Sequence, residues 1–185
     1  MIRPWTAPIS APSQAIGASI RALVPALSTP RTTLRAPVIG DFLAWSHILT
    51  SARAIHVGGP MDADDAWLEF CEGMAAWALR GHGMWTLTDH SGTVLGFVLL
   101  GFAPGDGEHE LGYLLCEAAE GQGYVTEAAA AARDYAVSAL RLPSLVSYIS
   151  PENLRSGAVA MRLGATRDGM LDGCDIWRHH PKVGA

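Results

Sequence analysis

One segment limits the possible folds more than any other. An apolar run, His109-Glu110-Leu111-Gly112-Tyr113-Leu114-Leu115-Cys116, is followed by Glu120-Gly121-Gln122-Gly123-Tyr124-Val125-Thr126-Glu127-Ala128 and then by an alanine-rich stretch with helical spacing. The run reads as a strand, the glycines as a turn, and the alanines as a helix from about Tyr124 to Leu140. Val125, Ala128, Ala132, Tyr135, Ala136 and Ala139 mark its expected buried side, and their small size lets the helix approach a sheet closely. A strand that feeds a glycine turn at a helix start gathers unpaired backbone N–H groups at one point. With the positive end of the helix dipole, they suit a phosphate-bearing ligand.

The rest of the chain supplies the partners for that unit. Thr32 to Arg35 is a β-prone first strand, and Asp41 is a candidate N-cap for a helix through Leu49. Asp62, Asp64 or Asp65 opens a second helix with Trp67, Phe70, Met74 and Trp77 on one stripe, and Gly81 and Gly83 close it. Met84 to Thr88 and Thr93 to Phe102 form a hairpin around Asp89-His90-Ser91-Gly92. Strand alternation puts Glu110, Gly112 and Leu114 on one face of the strand before the glycines, and Leu111, Tyr113 and Leu115 on the other. Leu145 to Ile149 is another strand, Ser156 to Leu163 a short helix, and Thr166 to Arg178 a final strand pair turning at Leu171-Asp172-Gly173. The expected fold class is α/β, with a mixed, mostly antiparallel central sheet flanked by helices. The expected organisation is an N-terminal extension over residues 1–28, one domain over 29–178, and a tail over 179–185 that includes a solvated His179-His180. The extension, broken by Pro8, Pro12 and Gln14, does not make a compact signal-peptide core and is expected to pack on the domain or form a poorly ordered arm.

Several function classes are disfavoured. The net charge is -5, and the 13 basic residues are scattered, which argues against a nucleic-acid partner. The longest nearly apolar run, Val94 to Ala103, is too short to span a bilayer. Cys71, Cys116 and Cys174 are far apart and odd in number, so a cytoplasmic location is expected. The seven histidines form no metal motif, and no metal is expected. Trp45, Trp67, Trp77 and Trp85 are read as core residues.

Four segments carry a family resemblance. Thr29 to Arg35, Glu110 to Leu115, Gly121 to Ala128, and Asn153-Leu154-Arg155-Ser156 with Arg162-Leu163-Gly164-Ala165 resemble, in order, the motifs of the GNAT superfamily of N-acetyltransferases. They are most similar to the branch that acetylates the N-terminal amines of ribosomal proteins. The resemblance implies the acyl-CoA N-acyltransferase fold, acetyl-CoA as co-substrate and a primary-amine acceptor, either a protein N-terminus or a small molecule. It implies that backbone of Leu114, Leu115 and Cys116 pairs with the pantetheine arm and that Asn153 bonds the same arm. Gly121, Gln122, Gly123, Tyr124, Val125 and Thr126 then cradle the diphosphate. Glu110 is the expected general base, since an alkylammonium cannot attack until it loses a proton. The chain departs from the family pattern at Ala118, where Gln or Arg is usual, at Ala160, where many relatives carry a proton-donating tyrosine, and at Ala165, where an aromatic is usual. Ser156 is the natural substitute for that tyrosine, although its bland role is a helix N-cap. A non-catalytic acyl-CoA-binding module is the alternative reading. Monomer and homodimer both remain open.

Overall fold

The computed structural model describes residues 2–180. Eight strands form one sheet: β1 (Leu27–Ser28), β2 (Thr32–Arg35), β3 (Met84–Asp89), β4 (Val94–Gly101), β5 (Glu110–Leu115), β6 (Leu145–Ile149), β7 (Thr166–Leu171) and β8 (Cys174–His180). Their spatial order is β1-β2-β3-β4-β5-β6-β8-β7, and every pairing is antiparallel except β5 with β6. The helices are α1 (Ala11–Arg21), α2 (Phe42–Leu49), α3 (Ala63–Arg80), α4 (Tyr124–Ser138) and α5 (Leu154–Arg162).

The strand period of two divides the core between the two faces. Trp85, Leu87, Val98, Leu100 and Leu111 meet Ala128, Ala129, Ala132 and Ala136 of α4 on one side. Met84 and Phe97 meet Phe42, Trp45, Ile48, Leu49 and Phe70 of α2 and α3 on the other. The four α4 alanines are fully buried, as a helix lying close on a sheet requires. Asp62 caps α3 by accepting from Asp64 and Asp65 N–H, and Gly81 ends the helix in the left-handed conformation.

Three sequence expectations need correction. Asp41 makes no cap bond at α2. It is buried, with its carboxylate accepting from Arg35 at 2.7 and 2.8 Å, from Val38 N–H at 2.9 Å and from Thr86 Oγ1 at 2.8 Å. Second, α5 starts two residues earlier than expected, and Asn153, not Ser156, is its N-cap. Third, β8 runs through His179 and His180, so these belong to the sheet and not to a tail. The His179 Nε2–H group reaches Ser147 Oγ at 2.9 Å while that hydroxyl donates to Leu111 C=O, and burial pushes the imidazole down to about 4. The remainder of the expected tail lies outside the described residues.

The N-terminal segment is attached at several points. Trp5 packs on Phe42 and Trp67, Trp85 Nε1 donates to Pro25 C=O at 2.8 Å, and β1 pairs with β2.

The Asp41 network yields a stability prediction. Burial alone would push the carboxyl up, but Arg35, Val38 and Thr86 outweigh it and hold it below its ordinary 3.8. A depressed carboxyl stabilises the fold above the unfolded value and loses that contribution as pH falls through the folded one. Asp41→Asn is expected to cost about 2 kcal/mol at pH 7, with the deficit shrinking below pH 3.8. Urea unfolding of both proteins across pH 3 to 7 measures it, and a deficit independent of pH would contradict the assignment.

Candidate active site

The site begins where β5 and β6 separate. Their register has one pair, Glu110 with Val146. Val146 N–H donates to His109 C=O at 2.9 Å, and Ser147 Oγ donates to Leu111 C=O at 2.5 Å. Beyond that point the strands diverge into a cleft of about 1030 Å³. Tyr113, Leu114 and Leu115 line one side, with Asn153 and Ser156 from the start of α5 and Gly121 and Val125 from the glycine turn.

The ladder on the other edge of β5 fixes which of its amides face the cleft. Cys116 N–H donates to Leu95 C=O at 2.9 Å. In an antiparallel pair, alternate residues direct both backbone groups to the same neighbour. Leu114 therefore directs both of its groups to β4, as Cys116 directs its N–H, the Cys116 C=O accepting from Ala119 N–H at 2.9 Å, while Tyr113 and Leu115 present theirs to the cleft. This corrects the expected trio: Leu115 keeps the strand-edge role, Tyr113 joins it, and the Leu114 and Cys116 amides are committed elsewhere. Leu114 still lines the cleft with its side chain, whereas Cys116 packs against the α2–α3 core.

The glycine turn is built for close backbone approach. Gly121 and Gly123 have φ of +73° and +79°, a region that penalises any side chain. Gly123 is the N-cap of α4, so the first amides of that helix lack intrahelical partners. Of the predicted cradle, Gly121 and Val125 line the cleft; Gln122, Gly123, Tyr124 and Thr126 do not. Gln122 folds its Nε2 onto Ala118 C=O at 2.9 Å. Tyr124 lies under the Arg31 guanidinium, 4.8 Å from ring centre. Arg31 also donates to Gln122 C=O at 2.9 Å and to Glu127 at 2.8 Å, and Thr29 donates to Glu127 too. The β1–β2 turn thus clamps the loop from behind.

A second cleft of about 560 Å³ lies on the α2–α3 side and contains Glu110. The two clefts share His56, Val57, Tyr113 and Leu114 as a common wall. Burial pushes Glu110 up to about 7, Asp106 adds to the shift, and a bond from Tyr148 N–H opposes it. A carboxyl poised near neutrality is suited to general-base work. Trp45 borders this cleft but is buried against Phe97, with its Nε1 donating to Ala66 C=O at 2.9 Å, and Trp67 packs against Trp5 and Phe42, so both are core residues.

Tyr113 joins β5 to α5. Its hydroxyl donates to Ser156 C=O at 3.0 Å, and burial raises the phenol to about 12. Asn153 Oδ1 accepts from Ser156 N–H at 3.2 Å, and the residue lines the cleft. Asn153→Ala is expected to cost about 1 kcal/mol through loss of the cap and to weaken binding in the cleft. Thermal melts and ligand titration separate the two effects.

A mixed sheet forked beside a central strand, with a glycine turn at the fork and a half-buried carboxyl across it, defines an acyl-CoA-type acyltransferase. Residues 31–166 match the acetyltransferase (GNAT) domain, and the chain belongs to that family. It is an acetyl-CoA-dependent acetyltransferase. It is similar to an acetyltransferase of Agrobacterium tumefaciens at 41% identity and TM-score 0.81, over 85% of this chain and 95% of that one. It is also similar to Mycobacterium smegmatis RimJ in complex with CoA-disulfide, at 25% identity and TM-score 0.63, over 84% of each chain. The microcin C7 self-immunity acetyltransferase MccE, in complex with acetyl-CoA and AMP, shares the fold at 16% identity and TM-score 0.64, over 82% of this chain and 93% of that one.

Proposed function

We propose that this enzyme transfers the acetyl group of acetyl-CoA to a primary amine, a protein N-terminus or a small molecule, by direct attack. The observation that carries the reading is the meeting of two clefts at β5, with the strand-edge groups of Tyr113 and Leu115 in one and the Glu110 carboxyl in the other. The thioester arm would add to the free edge of β5 as an extended strand does. Asn153 would bond the same arm, and the amides from Gly121 into α4 would hold the diphosphate.

Glu110 then accepts the ammonium proton, directly or through a water. The neutral amine attacks the thioester carbonyl, the carbon–sulfur bond breaks, the thiolate takes a proton from Ser156 or water, and the proton shed by the acylated nitrogen restores that donor. Ala160 supplies no hydroxyl at the position where many relatives carry tyrosine. Much of the acceleration comes from holding two substrates in attack geometry across the shared wall.

Calorimetric titration with acetyl-CoA and a thiol-release assay over a panel of peptides and small amines test the reading. Binding followed by acceptor-dependent thiol release supports it. Tight binding with no release on any acceptor favours the acyl-CoA-binding module instead, and absence of coenzyme affinity defeats both.

A further inference from the structure

Three side chains of the first cleft form a single ion bridge that the mechanism above does not use. Glu120, the residue before the glycine turn, pairs with Arg53 through one carboxylate oxygen and with Arg155 through the other, the latter at 2.7 Å. Arg53 comes from the 3-10 turn Ala52–His56, and Arg155 from the first turn of α5. All three residues line the cleft, as do Arg162 and Glu152. Arg53 Nη2 also donates to Leu115 C=O at 3.3 Å, one of the edge groups offered to the cleft.

We propose that Glu120 is an internal competitor for the coenzyme phosphates. Its carboxylate holds Arg53 and Arg155, and the phosphates of the incoming thioester carrier take both guanidinium groups from it. This deepens the acetyl-CoA reading and rests on it.

Guanidinium forks pair with carboxylate and phosphate by the same charge-assisted geometry. A diphosphate brings two charges against one for Glu120. The ion bridge is partly solvated: the Arg53 and Glu120 side chains are each about one-third exposed, and Arg155 is 83% exposed. Such pairs are weak, so the exchange is close to balanced and favours only a ligand carrying phosphates. The same exchange withdraws Arg53 from Leu115 C=O and opens the strand edge to the pantetheine arm. It also supplies, from two distant segments, the cationic contact missing at Ala118.

The test is calorimetric titration of the full chain with coenzyme A and with the phosphate-free probe acetyl-pantetheine. Glu120→Gln should tighten coenzyme A by roughly three- to tenfold and leave acetyl-pantetheine unchanged. Arg155→Gln should weaken coenzyme A by a similar factor, again without affecting the phosphate-free probe. The proposal is overturned if Glu120→Gln binds coenzyme A equally or more weakly. Should that variant not fold, an Arg155→Gln protein with wild-type coenzyme affinity is enough to reject it. A wild type that binds coenzyme A while Glu120→Gln gives no gain removes this proposal alone; a wild type with no coenzyme affinity removes the acetyl-CoA reading with it.

Discussion

Replacing Glu110 by glutamine is expected to lower turnover by about 100-fold or more while leaving acetyl-CoA affinity close to wild type. The carboxyl belongs to the second cleft and not to the wall that would receive the coenzyme. In the wild type, the reactive carboxylate form accumulates as pH rises through about 7, so the rate at low acceptor concentration should climb up to that point and then level. The variant should lose this limb. Retention of the limb, or of full turnover, would remove the base assignment.

The same substitution should change stability in the opposite sense. The folded protein keeps the Glu110 proton up to about pH 7, whereas the unfolded chain releases it near 4.5. Between those values the native state binds more protons, so stability declines as pH rises through the window. Above pH 7 the loss amounts to about 3 kcal/mol. Glutamine carries no charge to desolvate. Glu110→Gln should therefore resist urea better than wild type at pH 8 and equally at pH 4. Equal midpoints at both pH values would mean that the carboxyl is not held in a desolvating pocket.

Gly96→Ala is the second large effect, expected to cost about 3 kcal/mol or more. A methyl group at this position would lie 2.1 Å from the Leu114 carbonyl oxygen and 2.9 Å from Leu115 Cα. Both atoms are backbone, so no rotamer change relieves the overlap; β4 and β5 must move apart. That movement displaces the strand that carries Glu110 and faces both clefts. The urea midpoint should fall sharply, and coenzyme binding should weaken in whatever fraction remains folded. A variant with wild-type midpoint and affinity would show that the two strands are not in such close contact.

Local chemistry carried most of the fold into the sequence. β2 and β6 occupy the expected residues because β-branched and apolar runs end at Pro37 and Pro151, and α3 begins at Asp62 because the next two amides need an acceptor. What failed to show was tertiary. Asp41 has the residue type of a cap, but its carboxylate is taken by Arg35 and by Thr86, 45 residues away. The β1 pairing is not visible locally because the arm is held by Trp5 and by Trp85 reaching Pro25, contacts that leave no periodicity, whereas α1 does carry a local signal in Ser10, which accepts from Ser13 N–H at its start.

The site divided in the same way. Leu115, Gly121, Val125, Asn153 and Ser156 line the first cleft and Glu110 the second, and motif and strand alternation are what bring these positions to notice in the sequence. Alternation assigns side chains to faces, but it does not say which neighbour each amide feeds. Tyr113, and not Cys116, lies at the free edge because Cys116 N–H is committed to Leu95 C=O. Arg53, Glu120 and Arg155 are separated by 67 and 35 residues, with no pattern to join them.

The single-pair register between β5 and β6 has a wider consequence. Exposed sheet borders invite other polypeptides, and proteins usually guard them at the periphery with charge, proline or a covering element. Here one such border lies in the interior, in a recess walled by α5, the Ala52–His56 turn and the start of α4. The fold thus shelters this border inside a cleft, away from the sheet's periphery where other chains could pair with it.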